Sequence, residues 1–179
     1  MRVISGTARG RKLHDTSGTE VRPTGDMVKE AIFDIIQFDI EGRRVLDLYA
    51  GTGQLGIEAM SRGAKSVDFV DSNPQAVKLI RKNLKLCGFS QGAYVHTRDV
   101  HKHLEGIDTY DVILADPPYD APYAGKTIVR INEFDKLNVN GIIIYETSAD
   151  NAAPSVSPPY FLLKEYKYGR VKIIRYGKR

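Results

Sequence analysis

One cysteine, Cys87, stands in 179 residues. That scarcity excludes an internal disulfide framework and any cysteine-based zinc cluster, and leaves Cys87 as a small packing residue at a helix end. No apolar run approaches the roughly 18 residues needed to span a bilayer. The first residues, Met1-Arg2-Val3-Ile4-Ser5-Gly6, hold no signal-peptide core, so a cytoplasmic protein is expected. Gly-x-x-x-x-Gly-Lys-Ser/Thr does not occur, and phosphate-cradling ATP hydrolysis therefore has no support. Neither an internal repeat nor a low-complexity segment is evident. His14, His96, His101 and His103 form no convincing ligand set, so no metal is expected; His101 and His103 are expected to be exposed near a short helix. A strong net charge is also lacking: the formal value is +4, too mild to name a partner.

What is present describes an ordinary globular chain. Charged residues make up 27% and hydrophobic residues 42%, enough for a full core and too apolar for disorder. The positive charge gathers at the two ends. Arg2, Arg9, Arg11 and Lys12 occur with no acid, and the last sixteen residues hold seven basic side chains against Glu165 alone. Such ends can form an electrostatic footprint for a polyanion, or merely a solvated surface.

Hydrophobic periodicity predicts strands at 44–49, 67–71, 93–97, 110–115 and 141–146. Helices are predicted at 55–62, 74–86, about 100–104 and 123–135, and from a Thr24 cap to about Phe38. Residues 2–5 and 11–14 can pair as a short hairpin. The chain closes with strands at 160–166 and 171–176 around Tyr168-Gly169, an antiparallel hairpin. Regular alternation implies an α/β fold: a mainly parallel seven-stranded sheet with helices on both faces and an antiparallel C-terminal pair. Residues 1–179 read as one domain, with 1–23 a basic N-terminal appendage and 24–179 the core. Residues 148–159 are polar and proline-rich and read as a mobile loop.

Two places carry chemistry. The first strand ends in Asp47-Leu48-Tyr49-Ala50-Gly51-Thr52-Gly53-Gln54-Leu55-Gly56, a G-x-G-x-x-G turn opening a helix, and Asp71 closes the next strand. Glycines let the backbone approach a ligand, and an acid in that place can bond ribose hydroxyls. Asp47 can hold a cationic amine and would repel a dinucleotide pyrophosphate. Asp99, after the third strand, can accept from an adenine amino group or cap the following helix. Together these acids suit a ligand with a ribose, an adenine, an α-amino group and no phosphates, which describes S-adenosylmethionine. The second place is Asp116-Pro117-Pro118-Tyr119, where an apolar strand ends. Two prolines force the chain out of the sheet, leaving an acid to accept from an amino group and a tyrosine to stack on a flat ring.

Asp47-x-x-x-Gly51-x-Gly53, Asp71 and Asp116-Pro117-Pro118-Tyr119, in this order, resemble a class I S-adenosylmethionine-dependent methyltransferase acting on exocyclic amino nitrogens. The segments 1–13, 22–33 and 47–64 are similar to those of the RsmD family of bacterial 16S ribosomal RNA guanine-N2 methyltransferases, and the similarity covers almost the whole chain. Tyr49 and Thr52 stand where phenylalanine and serine are frequent in that family. The resemblance implies a Rossmann-like fold and cofactor binding by Asp47, Gly51, Gly53, Asp71 and Asp99. It places Thr24 near the methionine carboxylate, although Thr24 serves equally as a helix cap. Asp116, Pro117 and Tyr119 would present the base. Arg2, Arg9, Arg11, Lys12 and Arg22 would meet the RNA, Arg22 alternatively bracing its own loop. The implied partner is 16S ribosomal RNA or an assembling small subunit, met by a monomer. The rivals are an adenine-N6 methyltransferase acting on DNA or RNA, an NAD-dependent oxidoreductase, and a non-catalytic RNA-binding module.

Overall fold

Helices and strands alternate from residue 26 to 148, and two further strands follow, in the computed structural model, which describes residues 1–15, 25–118 and 124–179. The elements are α1 (Asp26–Ile35), β1 (Arg44–Leu48), α2 (Gln54–Ser61), β2 (Ser66–Asp71), α3 (Pro74–Cys87) and β3 (Ala93–Thr97). They continue with α4 (Val100–Leu104), β4 (Tyr110–Ala115), α5 (Ala124–Glu133), β5 (Leu137–Ser148), β6 (Tyr160–Tyr168) and β7 (Val171–Lys178). Helix α3 shows the local rules most plainly. Asn73 caps it by accepting from the Gln75 amide, Pro74 opens it, and Gly88 ends it in the left-handed conformation. Its buried residues Ala76, Val77, Ile80 and Leu84 recur at helical spacing.

The seven strands lie in the order β3-β2-β1-β4-β5-β7-β6. β3 through β5 run parallel, and β7 is antiparallel to both β5 and β6. Chain direction across the sheet reverses between β1 and β4. Connections leave that point on both sides, so a crevice opens outside the carboxyl ends of these two strands.

Two cores result. Val45, Ile57, Phe69, Ile80 and Leu114 belong to the layer holding α1, α2, α3 and the N-terminal segment. Leu46, Leu48, Val70, Ile113 and Ile128 belong to the layer under α4 and α5. Alternate residues of β1 thus enter opposite cores, as strand geometry demands. Among the described residues, no helix is long and apolar enough to cross a membrane.

Four expectations need correction. β5 begins at Leu137, not at 141: Leu137 pairs with Tyr110, and a register shift lets the strand absorb the polar stretch up to Gly141. α1 ends at Ile35, short of Phe38, because Phe38 is 91% exposed and finds no core to join; its predicted Thr24 cap lies outside the described residues. Residues 148–159 are not a loose loop. Asn132 and Ser157 exchange two hydrogen bonds, Tyr176 donates to the Pro154 carbonyl, and Ala153 and Val156 pack against the second core. The N-terminal pairing is present but shorter than expected: Arg2 bridges Lys12, with the Val3 amide donating to the Arg11 carbonyl and the Leu13 amide to the Met1 carbonyl.

What holds the N-terminal segment is a buried charge cluster. Glu58 of α2, fully buried, accepts from the Ile4 and Ser5 amides at 2.8 and 3.0 Å and from Arg62 at 2.9 Å. Lys29 of α1, equally buried, stands 3.8 Å from Glu58 and donates to the Arg2 carbonyl. Desolvation pulls the Lys29 ammonium below its ordinary pKa, and the Glu58 charge opposes that shift. Gly6 meets the backbone of α2 so closely that a Cβ there would lie 1.8 Å from the Ser61 carbonyl oxygen.

Candidate active site

Three carboxylates converge at the switch point. Asp71 ends β2 and turns both oxygens to backbone: Oδ2 accepts from the Gly51 amide at 2.9 Å and Oδ1 from the Asn73 amide at 2.8 Å. It therefore braces the glycine turn from the side. Gly51 and Gly53 both have positive φ, 55° and 79°, which a side chain would resist. A Cβ on Gly51 would meet only the Tyr49 carbonyl oxygen within 4 Å, at 3.8 Å, among the described residues. Gly56 is different: its Cβ would lie 2.3 Å from the Phe69 ring and 2.9 Å from Asp47. The third glycine of the motif is thus there to seat α2 on the sheet.

Asp47 departs from the place expected for it. It is 1% exposed and sits behind the turn, its Oδ2 accepting from the Gly56 amide at 2.9 Å. The carboxylate is not an open wall of the crevice. Burial pushes its pKa up to about 8, with the neighbouring charges of Asp116 and Asp71 adding to the rise and the Gly56 hydrogen bond opposing it. A cluster of acids of this kind suits a cationic ligand.

Asp116 and Pro117 follow Ala115, which pairs with Leu48 at the ends of β4 and β1. Asp116 is half-buried and Pro117 buried. Across from them Tyr49 adopts a positive φ of 59°, strained for a tyrosine, and its hydroxyl lies 2.7 Å from Thr127 of α5. That link between the β1 turn and the helix after Pro118 was not read from the sequence. The strained φ has no sequence signal, and Thr127 lies 78 positions away.

Thr97 pairs with Asp71, so Asp99, two residues on, stands beside the same strand end. Its Oδ1 accepts from the Lys102 amide at 3.0 Å, making it the cap of α4. Thr24, Arg22 and Tyr119 lie outside the described residues. Arg2, Arg9, Arg11 and Lys12 are all exposed on the α1–α3 side. The basic C-terminal hairpin, by contrast, occupies the far edge of the sheet and spends charge internally. Lys172 pairs with Glu165, Arg175 with Asp39 and Lys178 with Asp135.

The histidines also differ from expectation. His103 is half-buried, its ring 4.9 Å from that of His96 and its Nε2 3.3 Å from the Tyr110 hydroxyl. His96 in turn meets Asp68 at 2.7 Å. Burial, with the adjacent His96, brings the His103 pKa down to about 4. This cluster reaches the amino-terminal end of β4 and takes no part in the crevice.

Glycine turn, strand-end acids and acidic crevice fit S-adenosylmethionine: hydroxyls to donate to Asp71, and a positive charge that a cluster of acids attracts. Comparisons agree. The family model described as conserved hypothetical protein 95 matches residues 1–177. A Bacillus subtilis protein named "Putative rRNA methyltransferase YlbH" is 36% identical, covering 100% of both chains. The Haemophilus influenzae "Ribosomal RNA small subunit methyltransferase D" is 35% identical over 96% of this chain and 90% of its own. The solved Escherichia coli chain described as "Putative methyltransferase yhhF" superposes with a TM-score of 0.88 at 27% identity, covering 99% of this chain and 97% of that one.

Proposed function

The chain belongs to the conserved hypothetical protein 95 family, the RsmD family, and on that premise we propose that it methylates the exocyclic N2 of a guanine in small-subunit ribosomal RNA. It is an S-adenosylmethionine-dependent methyltransferase with a Rossmann-like fold. The observation that carries the reading is the convergence of Asp47, Asp71 and Asp116 at one switch point, beside a glycine turn and ahead of Pro117. We read residues 1–179 as one catalytic domain acting in the cytoplasm as a monomer.

S-adenosylmethionine supplies an electrophilic methyl group on a positively charged sulfur. Everything else falls to the chain's own residues. Asp71 and the Gly51 turn would hold the nucleoside part, and Asp99 would accept from its amino group. An exocyclic amine conjugated with its ring is a weak nucleophile, because its lone pair is delocalised. Asp116 and the Pro117 carbonyl accept hydrogen bonds from the amino group and so turn its lone pair out of the ring plane. As the N–CH3 bond forms the S–CH3 bond breaks, and the nitrogen then releases its surplus proton to solvent. Tyr119 stacks on the extruded base and holds it. Positioning and desolvation then provide the rate, without a covalent enzyme intermediate. A base must leave its stack to enter such a crevice, which favours a loop or a partly folded RNA as substrate.

Incubation with labelled S-adenosylmethionine and unmethylated small-subunit particles, followed by nucleoside analysis, tests this. N2-methylguanosine is the expected product. N6-methyladenosine would overturn the base assignment, and label in protein alone would overturn the RNA substrate.

A further inference from the structure

Helix α3 carries Lys78, Arg81, Lys82 and Lys85 and no acidic residue, a charge equal to the net +4 of the whole chain. All four are exposed. On the helical wheel they fall within one arc, opposite the buried Ala76, Val77, Ile80 and Leu84. The other long helices differ. The exposed face of α1 presents Met27, Glu30 and Asp34, and that of α5 mixes Lys126 with Glu133. A face kept merely for solubility usually interleaves the two signs. That of α3 does not.

The basic arc is extended by a second segment. Asn83, fully buried on α3, accepts from the His14 amide at 2.8 Å and donates to the His14 carbonyl at 3.0 Å. This two-bond clamp fastens the N-terminal segment along the helix. Burial raises the Cys87 thiol pKa, and the nearby charge of Arg11 opposes that rise at the end of the helix. Arg11 and Lys12 thereby join the α3 lysines on one side of the molecule. Among the described residues, no carboxylate pairs with Lys78, Lys82, Lys85, Arg11 or Lys12, whereas the hairpin at the opposite sheet edge neutralises three of its own cations.

The helix also starts in the right place. It begins three residues after Asp71, at the crevice rim, and its 14 residues extend over about 21 Å. We propose that this α3 face, continued by Arg11 and Lys12, is the track along which the phosphate backbone of the substrate RNA lies as a base enters the crevice. The inference rests on the RNA reading above and adds a surface to it. Arg81, whose guanidinium donates to the Val95 carbonyl at 3.2 Å, marks its limit at the β3 edge.

The test compares two triple variants of the full chain. Lys78→Gln, Lys82→Gln and Lys85→Gln together remove the track. Lys164→Gln, Lys167→Gln and Arg170→Gln remove the same charge from exposed positions of the opposite edge. The first should raise KM for small-subunit particles about tenfold and lower the log-affinity against log-salt slope by about 2 to 3, at about 0.7 to 0.9 per phosphate contact. Its kcat at saturating particles and its calorimetric affinity for S-adenosylmethionine should stay at the wild-type values, which also shows that it folds. The second should leave KM and salt slope unchanged. An unaltered salt slope in the α3 variant, or equal losses in both variants, overturns the track alone while methyl transfer to RNA stands. A wild-type protein that transfers no methyl group to RNA overturns both readings.

Discussion

Replacing Asp47 by asparagine should stabilise this protein, and increasingly so as the pH rises. The side chain is 1% exposed, and its pKa is raised from 3.8 to about 8. A carboxyl group whose folded pKa lies above its unfolded one binds more protons in the native state. Its contribution is therefore complete below about pH 4 and is lost progressively until about pH 8. One proton corresponds to about 1.4 kcal/mol per pH unit, so retaining the proton that the unfolded chain releases costs roughly 4 kcal/mol of stability at pH 7, and the loss levels at about 6 above pH 8. Asparagine copies the shape of the protonated acid, keeps an oxygen for the Gly56 amide and does not titrate. Urea unfolding of both proteins at unit steps from pH 5 to 9 isolates the effect, since every other group titrates alike in the two. The difference in unfolding free energy should grow with that slope and level off near pH 8. Parallel curves across the range would refute the reasoning. Saturating S-adenosylmethionine should bring the plateau to lower pH, because a cation among the three carboxylates favours the ionised form. Binding at pH 7 should then release a proton, visible as a buffer-dependent calorimetric enthalpy.

Three further outcomes are expected. Asp116→Asn should cut turnover by at least about a hundredfold while S-adenosylmethionine affinity holds; an equal loss of affinity, measured by calorimetry, would contradict the division of roles between Asp116 and the glycine turn. Asp71→Ala removes the acceptor of both the Gly51 and Asn73 amides, so affinity for S-adenosylhomocysteine should fall about 10- to 100-fold, and unchanged binding would speak against it. Glu58→Gln leaves the Lys29 ammonium buried beside a neutral amide, which should cost about 3 to 5 kcal/mol and free the N-terminal segment, read as faster tryptic cleavage at Arg9 and Arg11 with the core intact.

Much of this was legible from local pattern. The mainly apolar segments at 67–71 and 110–115 match β2 and β4 because a strand covered on both faces is rich in apolar residues. The turn from Gly51 to Gly56 was legible because only glycine tolerates its backbone and its packing distance. Other features depend on residues far apart in the chain. Asp47 read as an open ligand for an amine, yet the packing of α2 closes over it. The cluster of His96, His103, Asp68 and Tyr110 was invisible because it gathers from β2, β3, α4 and β4. Residues 148–159 looked free because Asn132 and Tyr176, which hold them, lie on other elements.

By itself, then, the sequence determined the alternation of elements, the glycine turn and the acids that close its strands. Each of these follows from interactions between near neighbours: side-chain period, backbone φ, a missing amide hydrogen. The order β3-β2-β1-β4 was decided only by the tertiary structure, because strand adjacency reflects which apolar faces bury most surface against one another. That order brings Asp47, Asp71 and Asp116 into one field, where the charges of the other two add to the raised pKa of Asp47. It also separates the two basic ends, which in the sequence looked like one footprint, and leaves the N-terminal one clamped against α3.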